Sequence, residues 1–174
     1  MFIQAQGAMI TIREYTEEDS ECVGRLIADT YAHFNLSYLS PENIKSGLGP
    51  FQHAWSPEKS HQEEIARMIR SEWVFVAEDE GEIVGVLRGR KERLGSLFVR
   101  ADHHRQGVGR GLVERFEMEC QKYAPMTIRV AATAYGVPFY RAMGYKKSTG
   151  LRFSRSFDFR GLPTQPMRKV LKAK

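Results

Sequence analysis

A glycine-rich turn between an apolar run and a helical pattern constrains this chain more than any other feature. The apolar run predicts a buried strand over 94–100. Three glycines follow at alternate positions: Gly107, Gly109 and Gly111. Beyond them, apolar residues recur at the spacing of one helical face: Val108, Leu112, Val113, Phe116 and Cys120. A strand, a turn and a helix are therefore expected in direct succession.

The chemistry of such a turn favours an anionic ligand. The first N–H groups of a helix have no partner within the helix, and the helix dipole adds partial positive charge there. Glycines let a ligand approach the backbone closely, and Arg105 and Arg110 add full positive charges. A pyrophosphate is the ligand that this arrangement favours. The alternative is a glycine-rich connection that binds nothing.

The spacing of the glycines excludes two common phosphate loops. A Walker loop needs a lysine after its last glycine, and the dinucleotide fingerprint needs a glycine at position 112, which is Leu112. The segment 105–111 instead has the form Q-x-x-G-x-G, and with the preceding LFVRADHHR it resembles the acyl-CoA loop of the GNAT superfamily of N-acetyltransferases. Three other stretches resemble this family: the opening strand and helix, VPFYRAMGY over 137–145, and the closing MRKVLK.

The resemblance implies an α/β fold of the α+β type. The family has a mixed, mostly antiparallel sheet of about six to seven strands with helices on both faces. Two neighbouring parallel strands, here 94–100 and 126–131, are expected to splay apart and admit the pantetheine arm of acetyl-CoA. Main-chain groups of Leu97, Phe98 and Val99 would then bind pantetheine. The pyrophosphate would contact Arg105, Gln106, Gly107, Val108, Gly109, Arg110 and Gly111.

The resemblance also implies a reaction, the direct attack of a primary amine on the acetyl thioester. The N–H of Val99 would stabilise the oxyanion, and Tyr140 would protonate the departing thiolate. The alternative for Tyr140 is a tyrosine of the hydrophobic core. Glu92 is the nearest candidate for a general base, although a water chain could serve instead. The family's CoA-contacting asparagine has no counterpart, because the matching positions hold Thr133 or Tyr135.

Two other functions remain open at this stage. The chain could bind or sense acyl-CoA without turning it over, although such a module does not need the proton donor Tyr140. A net charge of +5 also fits a nucleic-acid-binding domain, but no stacking-aromatic signature is present. We expect acetyl-CoA and an unidentified amine acceptor as partners, with a homodimer possible and membrane contact not expected.

Composition and length limit the domain organisation, the cellular location and the metal content that can be expected. The 174 residues suit a single N-acetyltransferase domain over 9–174, preceded by a leader or flexible N-terminus over 1–8. Cys22 and Cys120 lie on apolar helical faces and are interpreted as reduced core residues, which predicts a cytoplasmic location. The five histidines show no metal-ligand spacing, so no metal is expected.

The remaining elements follow from periodicity and turn residues. The first half is expected to contain a strand at 9–13, a helix over 16–35, an irregular segment at 36–56 with a short helix beginning at Pro41, and a helix over 60–70 with a Ser60–Glu63 capping box. A hairpin of 73–77 and 83–87 should follow. Beyond the central strands we expect a helix over 135–143 and a closing pair of strands, 153–159 and 166–171, joined through 161–163. Arg88, Arg90, Lys91 and Arg93 form a basic run around one turn. The run is interpreted as a solvated hairpin, with a contact to an anionic substrate or phosphate as the alternative.

Overall fold

The computed structural model describes residues 1–5, 8–157 and 159–173. The strands are β1 (Phe2–Ala5), β2 (Ala8–Glu14), β3 (Trp73–Asp79), β4 (Glu82–Arg90), β5 (Arg93–Val99), β6 (Met126–Thr133), β7 (Lys146–Lys147), β8 (Arg152–Ser156) and β9 (Phe159–Leu171). The α-helices are α1 (Ser20–Asn35), α2 (Pro41–Gly47), α3 (Lys59–Ile69), α4 (Val108–Gln121) and α5 (Val137–Ala142). Short 3-10 turns cover Glu17–Asp19, Gly49–His53 and Ala101–His103.

The strands of the described residues form one sheet in the order β1-β2-β3-β4-β5-β6-β9-β7, and β8 pairs with β9. Neighbouring strands are antiparallel apart from the parallel pair β5–β6. The mixed, mostly antiparallel α/β fold expected from the sequence is therefore confirmed. The sheet is larger than expected, because β1 and the two-residue β7 extend it at its two ends.

Two hydrophobic clusters cover opposite faces of the sheet. Alternation along β3 divides its side chains, since Phe75 and Ala77 enter one cluster and Val76 enters the other. The first cluster joins the sheet to α4 through Leu112 and Phe116. The second joins it to α1 and α3 through residues at helical spacing: Val23, Ile27, Tyr31, Ile65 and Ile69. The helices thus lie on both faces, as expected.

The parallel strands β5 and β6 separate soon after they meet. Register pairs join Arg93 to Arg129 and Leu94 to Val130, and the pairing ends there although β5 continues to Val99 and β6 to Thr133. The separation opens a gap at the carboxyl ends of the two central strands, next to the start of α4.

Two local predictions were wrong. The helix α3 begins at Lys59 with Glu58 at its N-cap, so Ser60 lies inside the helix and the capping box does not form. Ser56 instead orders the turn before the helix, because its hydroxyl accepts a hydrogen bond from the N–H of Glu58 at 3.2 Å. The closing hairpin reverses earlier than expected, since Ser156 pairs with Phe159 and the predicted connector 161–163 lies within β9. Part of the predicted strand 153–159, residue 158, lies outside the described residues.

The cysteines differ from each other in burial. Cys120 is buried in the cluster beneath α4, where burial raises its pKa to about 12. Cys22 is exposed, so its assignment to the core was wrong. It precedes the buried face of α1, which begins with Val23.

The N-terminal segment adds one edge strand to the sheet. The proposed leader covers 1–8, of which 6 and 7 lie outside the described residues, and Phe2–Ala5 pairs with β2. Among the described residues, no helix combines the length and the apolar character needed to cross a bilayer.

Candidate active site

The start of α4 carries unpaired main-chain donors. Gly107 is the N-cap, and its φ of 86° lies in the left-handed region that glycine tolerates best. The first bond of the helix runs from the N–H of Gly111 to the carbonyl of Gly107 at 2.9 Å. The N–H groups of Val108, Gly109 and Arg110 find no backbone acceptor among the described residues. The donors expected for the pyrophosphate are thus 108–110, while the N–H of Gly111 is already used inside the helix.

Gly109 is a glycine that the fold itself does not require. A Cβ built at this position would lie 3.5 Å from the Phe139 ring and 3.7 Å from Leu97 Cδ2, both ordinary contacts. Residues of β5, α4 and α5 therefore converge here. Because an alanine would fit sterically, the missing side chain at Gly109 leaves the backbone accessible from outside the helix.

Main-chain groups of β5 point into the gap between β5 and β6. The N–H of Arg100 donates to the carbonyl of Val84 at 2.9 Å, so Arg100 faces β4. Since backbone groups alternate along a strand, Leu97 and Val99 direct their N–H and C=O groups to the opposite side, towards β6. Phe98 instead pairs with β4 through its backbone and is buried against α1. Of the three predicted pantetheine contacts, Leu97 and Val99 have the suitable direction.

Tyr140 lies in α5 within the cluster that also holds α4. It is buried, and its ring packs edge-on against Phe139 at 5.1 Å and Tyr145 at 5.5 Å between ring centroids. Burial raises the pKa of Tyr140 well above that of an exposed phenol, so the hydroxyl stays protonated at neutral pH. No described residue hydrogen bonds to this hydroxyl.

His103 holds the turn before α4 against the end of β3. The ring is buried, with Nδ1 at 2.8 Å from Asp102 Oδ1 and Nε2 at 3.0 Å from Asp79 Oδ2. Burial by itself would lower the pKa of His103, but the hydrogen bonds to Asp102 and Asp79 raise it above the ordinary histidine value. With a carboxylate at each nitrogen, the ring is suited to the doubly protonated form.

His104 spans the mouth of the gap, and its place there was not predicted from the sequence. Its Nε2 lies 2.8 Å from the carbonyl oxygen of Val99, and its Nδ1 lies 3.2 Å from the hydroxyl of Tyr135. The rings of Phe34 and Tyr135 stack at 5.0 Å, and Phe34 lies 4.9 Å from the His104 ring. The sequence signal that could have indicated this position is the adjacent pair His103 and His104, whose side chains contact different partners.

Two charged groups suggested by the sequence do not reach the gap. Glu92 lies at the opposite end of β5 from Val99, about 23 Å away at ~3.3 Å per residue. Its carboxylate is 3.2 Å from Arg129 Nη1. It is therefore badly placed for a general base. Arg88 is turned into the protein, where its Nε donates to the carbonyl of Ile69 at 2.7 Å and caps the end of α3. Burial lowers the pKa of Arg88 to about 10, which still leaves it charged at neutral pH.

In the part of the chain that the structure describes, no group of three or more His, Cys, Asp or Glu side chains could hold a metal ion.

Comparisons with known proteins agree with this architecture. Residues 35–171 match the family model described as an acetyltransferase (GNAT) domain. No curated protein sequence gives a significant match.

Solved structures share the fold at low sequence identity. The GCN5-related N-acetyltransferase of Rhodopseudomonas palustris has 16% identity and a TM-score of 0.76, with 98% of each chain covered. The PaiA N-acetyltransferase of Thermoplasma acidophilum, solved in complex with coenzyme A, has 20% identity and a TM-score of 0.67, covering 93% of this chain and 99% of the other. The ribosomal-protein-alanine N-acetyltransferase of Brucella melitensis has 22% identity and a TM-score of 0.60, covering 92% and 99%.

Proposed function

The chain belongs to the GNAT acetyltransferase family and is an acyltransferase of that family, and we propose that it transfers the acetyl group of acetyl-CoA directly to a primary amine. The observation that carries this proposal is the gap between β5 and β6 next to the unpaired N–H groups of α4. A pyrophosphate at α4 and an extended arm in the gap match these two features. The structural relative solved with coenzyme A supports the same ligand.

Each part of acetyl-CoA has a proposed partner in the chain. The N–H groups of 108–110 bind the pyrophosphate, with Arg105 and Arg110 adding positive charge. Leu97 binds the pantetheine arm through its main chain, as an added strand would, while the carbonyl of Val99 is held by His104. The N–H of Val99 stabilises the oxyanion that forms when the amine attacks.

Tyr140 is the proposed general acid. Its burial keeps the hydroxyl protonated at neutral pH, so it can donate a proton to the departing thiolate. The proton released by the amine leaves through a water chain, since Glu92 lies too far from Val99 to receive it. Acetyl-CoA supplies the activated acyl group, and the chain supplies orientation, the oxyanion donor and this proton.

A panel of amines tests the proposal. We expect CoA release, followed with a thiol reagent, to rise above the rate without amine for at least one class among small amines, amino acids, peptide N-termini and lysine side chains. Stabilisation by acetyl-CoA without amine-dependent release from any class would favour the alternative, a module that binds acyl-CoA without turning it over.

A further inference from the structure

We propose that a row of cations across the sheet, at the end of β5 opposite Val99, is a docking surface for an acidic polypeptide segment. The row has one member on each of five neighbouring strands: Arg90 of β4, Arg93 of β5, Arg129 of β6, Arg168 of β9 and Lys146 of β7. This inference does not depend on the acetyl transfer proposed above.

The strand register places these side chains in a single line. Arg90 pairs with Arg93, Arg93 with Arg129, Arg129 with Arg168, and Arg168 with Lys146. Directly paired residues project from the same face of a sheet. With strands ~4.8 Å apart, the row spans about 19 Å.

The row lies on the face of the sheet opposite α4. Leu94 and Val130, the neighbours of Arg93 and Arg129 along their strands, are buried in the cluster with α4. Alternation therefore directs Arg93 and Arg129 to the other face. All five cations are exposed, and the side chain of Arg129 keeps 64% of its accessible surface.

The chain itself does little to neutralise these charges. Glu92 lies 3.2 Å from Arg129. Within the described ranges, no carboxylate forms an ion pair with Arg90, Arg93, Arg168 or Lys146. Like charges directly opposite each other on neighbouring strands are destabilising. An arrangement that repeats this unfavourable pairing across five strands is therefore best explained by a polyanion that binds there.

The side chains favour an acidic peptide as that polyanion. Four of the five cations are arginines, whose planar forks bind carboxylates through paired hydrogen bonds. An extended peptide of about six residues covers the row at ~3.3 Å per residue. The nearest positions on the same face of β6 and β9 offer no ring on which nucleic-acid bases could stack: Thr127, Ala131, Pro166 and Val170.

Fluorescence anisotropy with a labelled peptide of about six glutamates, the length that spans the row, tests the proposal. The test variant is Arg93→Gln/Arg129→Gln/Arg168→Gln. The matched control, Lys45→Gln/Lys59→Gln/Arg67→Gln, removes the same net charge from exposed positions of α2 and α3. We expect the row variant to raise the Kd about tenfold or more and the control to change it less than about threefold.

A thermal melt separates binding from folding. Because the row variant removes repulsion, its Tm should equal or exceed that of the wild type. The peptide should raise the Tm of the wild type and of the control variant, but not that of the row variant. Several outcomes would overturn the proposal: no peptide binding by the wild type, equal weakening in both variants, or a lower Tm of the row variant. Tighter binding of single-stranded RNA at the same residues would assign the row to nucleic acid. A dimer lost in the row variant would assign it to a second copy.

Discussion

Tyr140 is a buried residue whose hydroxyl has no hydrogen-bond partner among the described side chains. If it protonates the thiolate, Tyr140→Phe removes the proton donor and leaves the packing of the ring intact. We expect turnover to fall by about 100-fold or more, within the range for general acids, while acetyl-CoA binding stays nearly unchanged. Steady-state kinetics and calorimetric titration measure the two quantities.

Tyr123→Phe is the control for this variant. Tyr123 follows α4 and keeps 49% of its surface exposed, so its hydroxyl is not expected to affect turnover. Unchanged turnover in Tyr140→Phe would remove the acid role and leave Tyr140 as a residue of the core. Lost binding of acetyl-CoA would indicate that the hydroxyl acts on the ligand instead.

His103 gives a prediction for stability against pH. Its pKa is raised in the folded protein by Asp102 and Asp79, in opposition to the lowering effect of burial. Such a group contributes its full stabilisation at pH values below its pKa in the unfolded state, which is about 6.5. This contribution is lost as the pH rises through the higher pKa of the folded state. We expect His103→Gln to lower the unfolding free energy by about 2 kcal/mol at acidic pH, the size typical of charged hydrogen bonds, and by less at alkaline pH.

Chemical denaturation at about pH 5.5 and about pH 9 checks this trend. Asp102 stays ionised at the lower of these values, because hydrogen bonds from Arg100 and His103 lower its pKa to about 2. If the difference in unfolding free energy between wild type and variant grows with pH, the result would contradict a doubly protonated His103 ring.

The start of α4 is the element on which the ligand assignment depends. Gly109→Glu introduces a negative charge where the pyrophosphate is expected, and the Cβ has room because its contacts are ordinary. A glutamate in the first turn also complements the helix dipole, so the fold should tolerate it. We expect the variant to lose the thermal stabilisation that acetyl-CoA gives to the wild type.

Gly150→Glu is the matched control. A Cβ built at Gly150 meets no described atom within 4 Å, and the glutamate adds the same charge as in Gly109→Glu. It should respond to acetyl-CoA as the wild type does. Stabilisation that survives in Gly109→Glu would mean that the ligand binds elsewhere.

Acetyl-CoA should stabilise the whole molecule, because its proposed contacts join β5, α4 and the loop between them. At a ligand concentration about 100 times the Kd, binding contributes about 2.7 kcal/mol. For a chain of this length that corresponds to a Tm increase of about 5–10 °C, measurable by differential scanning fluorimetry. An equal increase with pantetheine alone would show that the pyrophosphate adds nothing.

Sequence reasoning succeeded where the signal is local and failed where distant parts of the chain compete. Two apolar runs around the turn 78–82 predicted the β3–β4 hairpin. Ser40 before Pro41 predicted the start of α2, where the Ser40 hydroxyl accepts a hydrogen bond from the N–H of Asn43 at 3.4 Å. Gly161 and Pro163 suggested a turn, but both lie in β9, where pairing with β8 overrides local turn preference. Cys22 fitted an apolar helical face by spacing, yet it is exposed in the folded protein.

The amino-acid sequence by itself determined the glycine-rich start of α4, the run of elements and the family, because each depends on neighbouring residues and their periodicity. Tertiary structure alone decided which distant groups meet. It brought His104 between Val99 and Tyr135 and aligned five cations across five strands. These relations depend on strand order and register, which arise from pairing between segments far apart in the chain and leave no local pattern to detect.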